Sequence, residues 1–216
     1  VNETLEYIQM FHHSRRLDGT DIKANNNLEQ LLVEDSPLSD FFKKHKVTFK
    51  PHEGHIDLYY KGELQPLEDE FRYGGGNIYY LRSRLGYNKS QDYCVNGFAF
   101  RSYLEKNQYF SLLSYCPELV GNIESLLDIH GMSTDYYNNS KYYCIEYLIP
   151  MTDVIFDMGY PPETVNEKTV EFLHQAILRL YDEWRGSNFE CDENLILRLS
   201  DDACVKPEWF VKAEEL

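Results

Sequence analysis

Two segments, far apart in the chain, read as mostly apolar strands with ionisable groups set into them. The first is Tyr7-Ile8-Gln9-Met10-Phe11-His12-His13-Ser14-Arg15-Arg16. The second is Tyr142-Tyr143-Cys144-Ile145-Glu146-Tyr147-Leu148-Ile149-Pro150. A charge inside a strand is costly unless it is paired, solvated or used. Both segments have the apolar content for burial, so they are expected to be strands of one sheet.

Around them the order of elements is mixed. Asn25-Asn26-Asn27 caps a short helix over Leu28 to Glu34, and Ser36-Pro37 opens another through His45, with Leu38, Phe41 and Phe42 as its apolar stripe. Val47–Phe49 and His55–Tyr60 read as a β-hairpin. Three glycines, Gly74–Gly76, make a flexible turn before Ile78-Tyr79-Tyr80-Leu81, with phosphate cradling as the functional alternative. Asp92 to Arg101 reads as a strand with Gly97 at a bulge or close approach, and its polar cluster Asp92, Asn96 and Arg101 as either a binding wall or plain edge chemistry. Helical spacing follows over 102–115, then a helix from Pro117 to about Ile129 closed by Gly131, and a polar loop from Asp135 to Ser140.

Val154–Phe156 continues the sheet. A long helix opens at Pro161–Thr164 and runs to Arg185, stopped by Gly186, with Leu173, Ile177, Leu180 and Trp184 expected in the core. Leu195–Leu199 is a late strand, and Pro207 opens a short closing helix. Hairpins and helices interleave without βαβ regularity. The predicted fold is therefore α+β, a largely antiparallel mixed sheet with packed helices, in one domain.

Composition narrows the function classes. The 216 residues are 43% hydrophobic and include 18 Tyr and 12 Phe, enough for a folded core. Tyr buries a ring and keeps a polar tip, which suits half-buried strand positions. The net charge of −15 argues against general nucleic-acid binding and favours a basic protein as any macromolecular partner. Local basic runs are Arg15-Arg16, Lys43-Lys44-His45-Lys46 and Arg82-Ser83-Arg84, the last either a bidentate grip for a phosphate or carboxylate or a partner for Glu68-Asp69-Glu70. Cys94, Cys116, Cys144, Cys191 and Cys204 are odd in number and contain no C-x-x-C pair, so no disulfide is expected. No apolar run reaches the length of a membrane span, and the first residues lack a signal-peptide pattern. The expectation is a cytoplasmic protein without membrane contact.

Phe11-His12-His13-Ser14 and Glu146-Tyr147-Leu148-Ile149-Pro150 together resemble the ADP-ribosyltransferase fold. Members carry a first strand of the form aromatic-His-x-Thr/Ser and a late strand with a glutamate followed by apolar residues and Pro. The resemblance implies NAD as substrate and transfer of ADP-ribose to a macromolecule, in the manner of bacterial toxins or phage-defence effectors. It implies Glu146 as the carboxylate that stabilises the cationic sugar, with His12, Ser14 and Arg15 holding the cofactor. Tyr79 or Tyr80 would pack the nicotinamide, Tyr93 being the alternative middle element. Cys144 stands where arginine-modifying members carry the first glutamate of Glu-x-Glu, so arginine is a doubtful target.

A structural alternative has His12 and Ser14 as sheet-edge groups and Glu146 paired with Arg15 or Arg16. The rival function is a non-catalytic acidic protein, an inhibitor, antitoxin or immunity protein, masking a basic partner. His52 and His55, near Glu53 and Asp57, have metal-ligand chemistry, but a spacing of three along a strand points them to opposite faces unless a loop conformation turns them together. No metal is expected.

Overall fold

The computed structural model describes residues 3–67, 76–88, 91–106, 108–186 and 194–216, with the side chains of 76, 77, 108 and 109 left aside. The fold is α+β. Six strands form one sheet in the order β7-β8-β5-β1-β6-β9: β1 Tyr7–Leu17, β5 Asn96–Phe98, β6 Ser140–Pro150, β7 Ile155–Phe156, β8 Ile196–Arg198 and β9 Phe210–Glu215. A second sheet holds β2 Val47–His52, β3 His55–Tyr60 and β4 Glu63–Leu64. Every neighbouring pair in both sheets runs antiparallel.

The two key segments are β1 and β6, paired along their whole length from Tyr7↔Pro150 to Leu17↔Ser140. Their alternation builds two faces. Ile8, Met10, Ile145, Tyr147 and Ile149 enter a core with Phe156, Leu197 and Trp209, while Phe11 and Cys144 pack with Leu104 on the reverse face. A separate apolar cluster joins the β2–β3 hairpin to α1 (Leu28–Val33), α2 (Pro37–Lys44), α3 (Gly76–Arg84) and α5 (Glu118–Leu127) through Phe42, Val47, Leu58, Leu81 and Ile123.

Local signals set most helix ends. Asn27 accepts from the Gln30 N–H, and Ser36 and Thr164 each form a reciprocal capping box. Gly186 ends α7 (Val165–Arg185) in the left-handed region. Gly97 lies where a Cβ would come within 2.6 Å of the Phe11 carbonyl oxygen, so its role is close approach of β5 to β1.

Four expectations fail locally. The polar segment 135–140 is mostly α6 (Met132–Asn138), because the Glu124 carboxylate of α5 accepts the N–H groups of Gly131 and Ser133 at 2.8 and 2.9 Å. That cap comes from another helix and leaves no local sequence mark. Gly131 accordingly precedes α6, while α5 ends at Asp128 in the left-handed region. Pro207 does open a short helix, the 3-10 turn Pro207–Trp209, although the chain closes on β9, which pairs with β6. Between Asp92 and Arg101 only Asn96–Phe98 is strand.

The fourth failure is α7. Leu173, Ile177, Leu180 and Trp184 are exposed, Trp184 by 81%. The opposite stripe docks instead, through polar anchors. Buried Lys168 donates to the Met151 and Val154 carbonyls at 3.0 and 2.7 Å, and Thr169 accepts from the Leu5 N–H at 3.1 Å. Phe172 stacks on Phe100, and Arg179 lies over the same ring and donates to the Ser102 carbonyl.

Among the described residues no helix is long and apolar enough to cross a membrane. Cys94, Cys116, Cys144 and Cys204 are free thiols, and Cys191, like Glu68, Asp69, Glu70, Gly74 and Gly75, lies outside the described residues.

Candidate functional site

An eleven-residue β1 beside a three-residue β5 leaves an edge uncovered. β5 meets β1 in register at Phe11↔Phe98, and towards Arg16 no described strand continues on that side. A pocket of about 480 Å³ opens along this edge. Its walls are His12–Arg16 of β1, Asn25 before α1, Tyr80 and Arg84 of α3, the stretch Asp92–Phe98, Leu113 of α4 (Gln108–Tyr115), and Pro117, Glu118 and Leu119 at the start of α5.

His12 is the hub of the polar wall. Its Nδ1 lies 2.6 Å from the Asn96 carbonyl, which can only accept, so Nδ1 carries the proton. Nε2 then accepts from Arg16 Nη2 and Asn25 Nδ2, each at 3.2 Å. Burial first, and the Arg16 charge second, bring its pKa down to about 3. His12 is a neutral acceptor with both nitrogens engaged, which does not suit proton transfer.

Asn25 is itself pinned. Its backbone bridges to Val205, and its side chain is buried. The wall at Tyr93 and Cys94 is held by Asp201, whose carboxylate accepts both N–H groups at 2.8 and 3.0 Å and also pairs with Arg198. Arg84 pairs with Asp92 at 3.0 Å.

The two adjacent arginines of β1 have different fates, because the pleat sends them to opposite faces. Arg15 is fully employed, donating to the Ser114, Tyr137 and Ser140 carbonyls and to Ser140 Oγ, with its guanidinium over the Tyr137 ring. Arg16 is buried, and burial lowers its pKa. Its Nε has no hydrogen-bond partner, and no carboxylate pairs with it among the described residues.

Sequence reasoning singled out six residues for one cleft. His12, Ser14, Arg15 and Tyr80 do line one pocket. Tyr80 is 54% exposed on α3, with Tyr79 packed edge-on against it at 5.7 Å but outside the pocket lining.

Glu146 is not brought to them. Phe11 is its partner across β1–β6, so Glu146 shares a face with Gln9, Phe11, His13 and Arg15 while His12 and Ser14 point the other way, and Glu146 does not line the pocket. The Glu146 carboxylate is buried among its own partners: Gln9 Nε2 donates to it at 2.7 Å, and Lys212, its opposite number on β9, reaches it at 3.0 Å. Arg101 stands 3.8 Å away and also pairs with Glu214. Glu146 is thus ion-paired, though with Lys212 and Arg101 rather than with Arg15 or Arg16.

The sequence marked Arg84 as a grip for a phosphate or carboxylate and Asn96 as part of a binding wall, and both line the pocket; what it missed is Arg16, with Asn25 beside it. Strand alternation was the available signal, since it separates Arg15 from Arg16. Comparison of the chain with family models, with curated proteins and with solved structures returns no match.

Proposed function

We propose that the pocket beside β1 binds a small anionic ligand of nucleotide type, with Arg16 as its counter-ion, and that this ligand is NAD used for transfer of ADP-ribose to a macromolecule. The observation that carries the reading is the buried Arg16 guanidinium, uncompensated among the described residues, on the wall of a pocket of about 480 Å³. An unpaired buried charge costs several kcal/mol, and a phosphate in the pocket would supply the counter-charge. Ser14 and Asn25 offer polar groups to a ribose, and the exposed Tyr80 ring offers a stacking surface for a base or nicotinamide.

The resemblance supports NAD through His12 and Ser14 and loses its support from Glu146. In this reading Glu146 has a structural role, and any catalytic carboxylate belongs to the pocket-lining acids, of which Glu118 and Asp157 have no ion-pair partner among the described residues. A reducing, cytoplasmic setting suits the four free thiols.

Calorimetric titration with NAD tests the proposal, on the natural chain and on Arg16→Met. Saturable binding is expected for the first and at least about tenfold weaker binding for the second, with no fall in melting temperature, because a buried unpaired cation gives way to an apolar chain of similar length. Failure of NAD to saturate the natural chain overturns the NAD assignment.

The second reading, an acidic protein that masks a basic partner, is favoured by the net charge of −15 and by the exposed apolar stripe of α7. A tight one-to-one complex with a basic protein, together with silence towards NAD, would select it.

A further inference from the structure

The His52/His55 pair stands apart from the pocket and is not what its spacing along one strand suggests. The chain reverses between them. Glu53 and Gly54 form a two-residue turn, Gly54 with φ +80°, and His52 and His55 are direct partners across β2–β3. Cross-strand partners share a face, so the expectation of opposite faces fails. The rings stack at 4.7 Å with planes 12° apart. Asp57, two residues along β3, projects from the same face and is buried.

We propose that His52, His55 and Asp57 form a three-ligand site for a divalent transition ion of borderline softness, Zn²⁺ above all, with water in the remaining position. The donor spacing carries it. His52 Nδ1 lies 3.3 Å from one Asp57 oxygen, and His55 Nε2 lies 3.1 Å from the other. All three ligand atoms fall within 4.8 Å of one another. Tetrahedral Zn²⁺ with bonds of about 2.0–2.1 Å sets its donors about 3.3–3.4 Å apart, so each histidine already stands near the required separation from Asp57, and the widest pair has to close from no more than 4.8 Å. Two imidazoles and a carboxylate are ligands of the right kind, and three protein ligands leave a position for water.

The surroundings fix the site. The Tyr87 hydroxyl donates to Asp57 Oδ1 at 3.1 Å, an outer contact that orients a ligating carboxylate. The Tyr87 ring also packs on His55 at 4.2 Å. The hairpin is tied to the end of α3 by the Ile56 N–H donating to the Leu85 carbonyl at 2.8 Å. Gly86 lies against the turn so closely that a Cβ there would be 2.8 Å from the Gly54 oxygen. Asp57 and His55 are therefore held, and the adjustment falls on His52, whose exposed ring tilts off its stack to aim Nδ1 at the ion.

Zn²⁺ titration by calorimetry at neutral pH, with Co²⁺ as a spectroscopic stand-in, tests the site on the full chain. One ion per chain is expected, with the intense visible bands of tetrahedral Co²⁺. His52→Ala and Asp57→Asn should each weaken Zn²⁺ binding by at least about tenfold, and Tyr87→Phe by about 10–100-fold. His130→Ala, at an exposed histidine beside Asp128, should bind as the natural chain does. Far-UV melts of each variant establish that it is folded, and His52, being exposed, is the substitution least able to disturb the hairpin. Absence of saturable binding by the natural chain, or unchanged binding by a folded His52→Ala, overturns the proposal. Since none of the three ligands lines the pocket at Arg16, the outcome is distinguishable from that of NAD binding.

Discussion

At the scale of single residues, the same residue type takes opposite roles according to the face it occupies. Arg15 has an acceptor for each donor that points inward, whereas Arg16, one residue on, is buried without a counter-charge among the described residues. Glu146 sits in a strand without being available for chemistry, because Gln9 and Lys212 already occupy its carboxylate. We expect Glu146→Gln to lower stability by about 1–2 kcal/mol. It loses a charge-assisted bond, but Lys212 and Arg101 are partly exposed and can turn to water. NAD binding should be unchanged in that variant. Unfolding in denaturant and calorimetry on one preparation check both halves, and loss of NAD binding with an unchanged melting point would return Glu146 to the site.

At the scale of elements, α7 shows why helical periodicity and burial are separate questions. The apolar repeat Leu173, Ile177, Leu180, Trp184 marks a helix correctly, and Thr164 and Gly186 mark its ends. Which stripe docks is decided by partners in other elements: carbonyls at Met151 and Val154 for Lys168, and the Phe100 ring for Phe172. Lys168→Ala is therefore expected to cost about 2–4 kcal/mol through two lost charge-assisted bonds to buried carbonyls. The double variant Ile177→Gln, Leu180→Gln should stay within about 0.5 kcal/mol per site, as for other exposed positions. Thermal melts of the two variants decide it. The reverse order of effects would mean that the apolar stripe is the packed one.

At the scale of the whole molecule, stability should depend on pH through two histidines held neutral in the sheet. Burial is the main cause in both. His12 is brought to about 3, with Arg16 adding to the effect, and His13, edge-on to Phe98, Phe110 and Tyr142, to about 4. Unfolded histidine titrates near 6.5, so below that value the unfolded chain binds protons that the folded one refuses, and stability falls as pH falls towards 4 and then 3. From pH 7 to pH 5 the loss should be about 2–4 kcal/mol for the pair. His13→Phe should remove roughly half of that slope, and denaturant titrations at the two pH values would show it. A slope unchanged by the substitution would contradict the assignment.

The α+β class, the β1–β6 pair, the caps at Asn27, Ser36, Thr164 and Gly186 and the Gly97 approach were legible, because each rests on neighbours in sequence or on alternation along one strand. The sequence alone could not say that a two-residue turn sets His52 against His55, that Glu124 caps α6, or that Glu146 and His12 lie on opposite faces of β1–β6. Each of those depends on register between distant segments, where a shift of one residue exchanges the two faces of a strand. Only the tertiary structure fixes that register, and with it which polar groups meet.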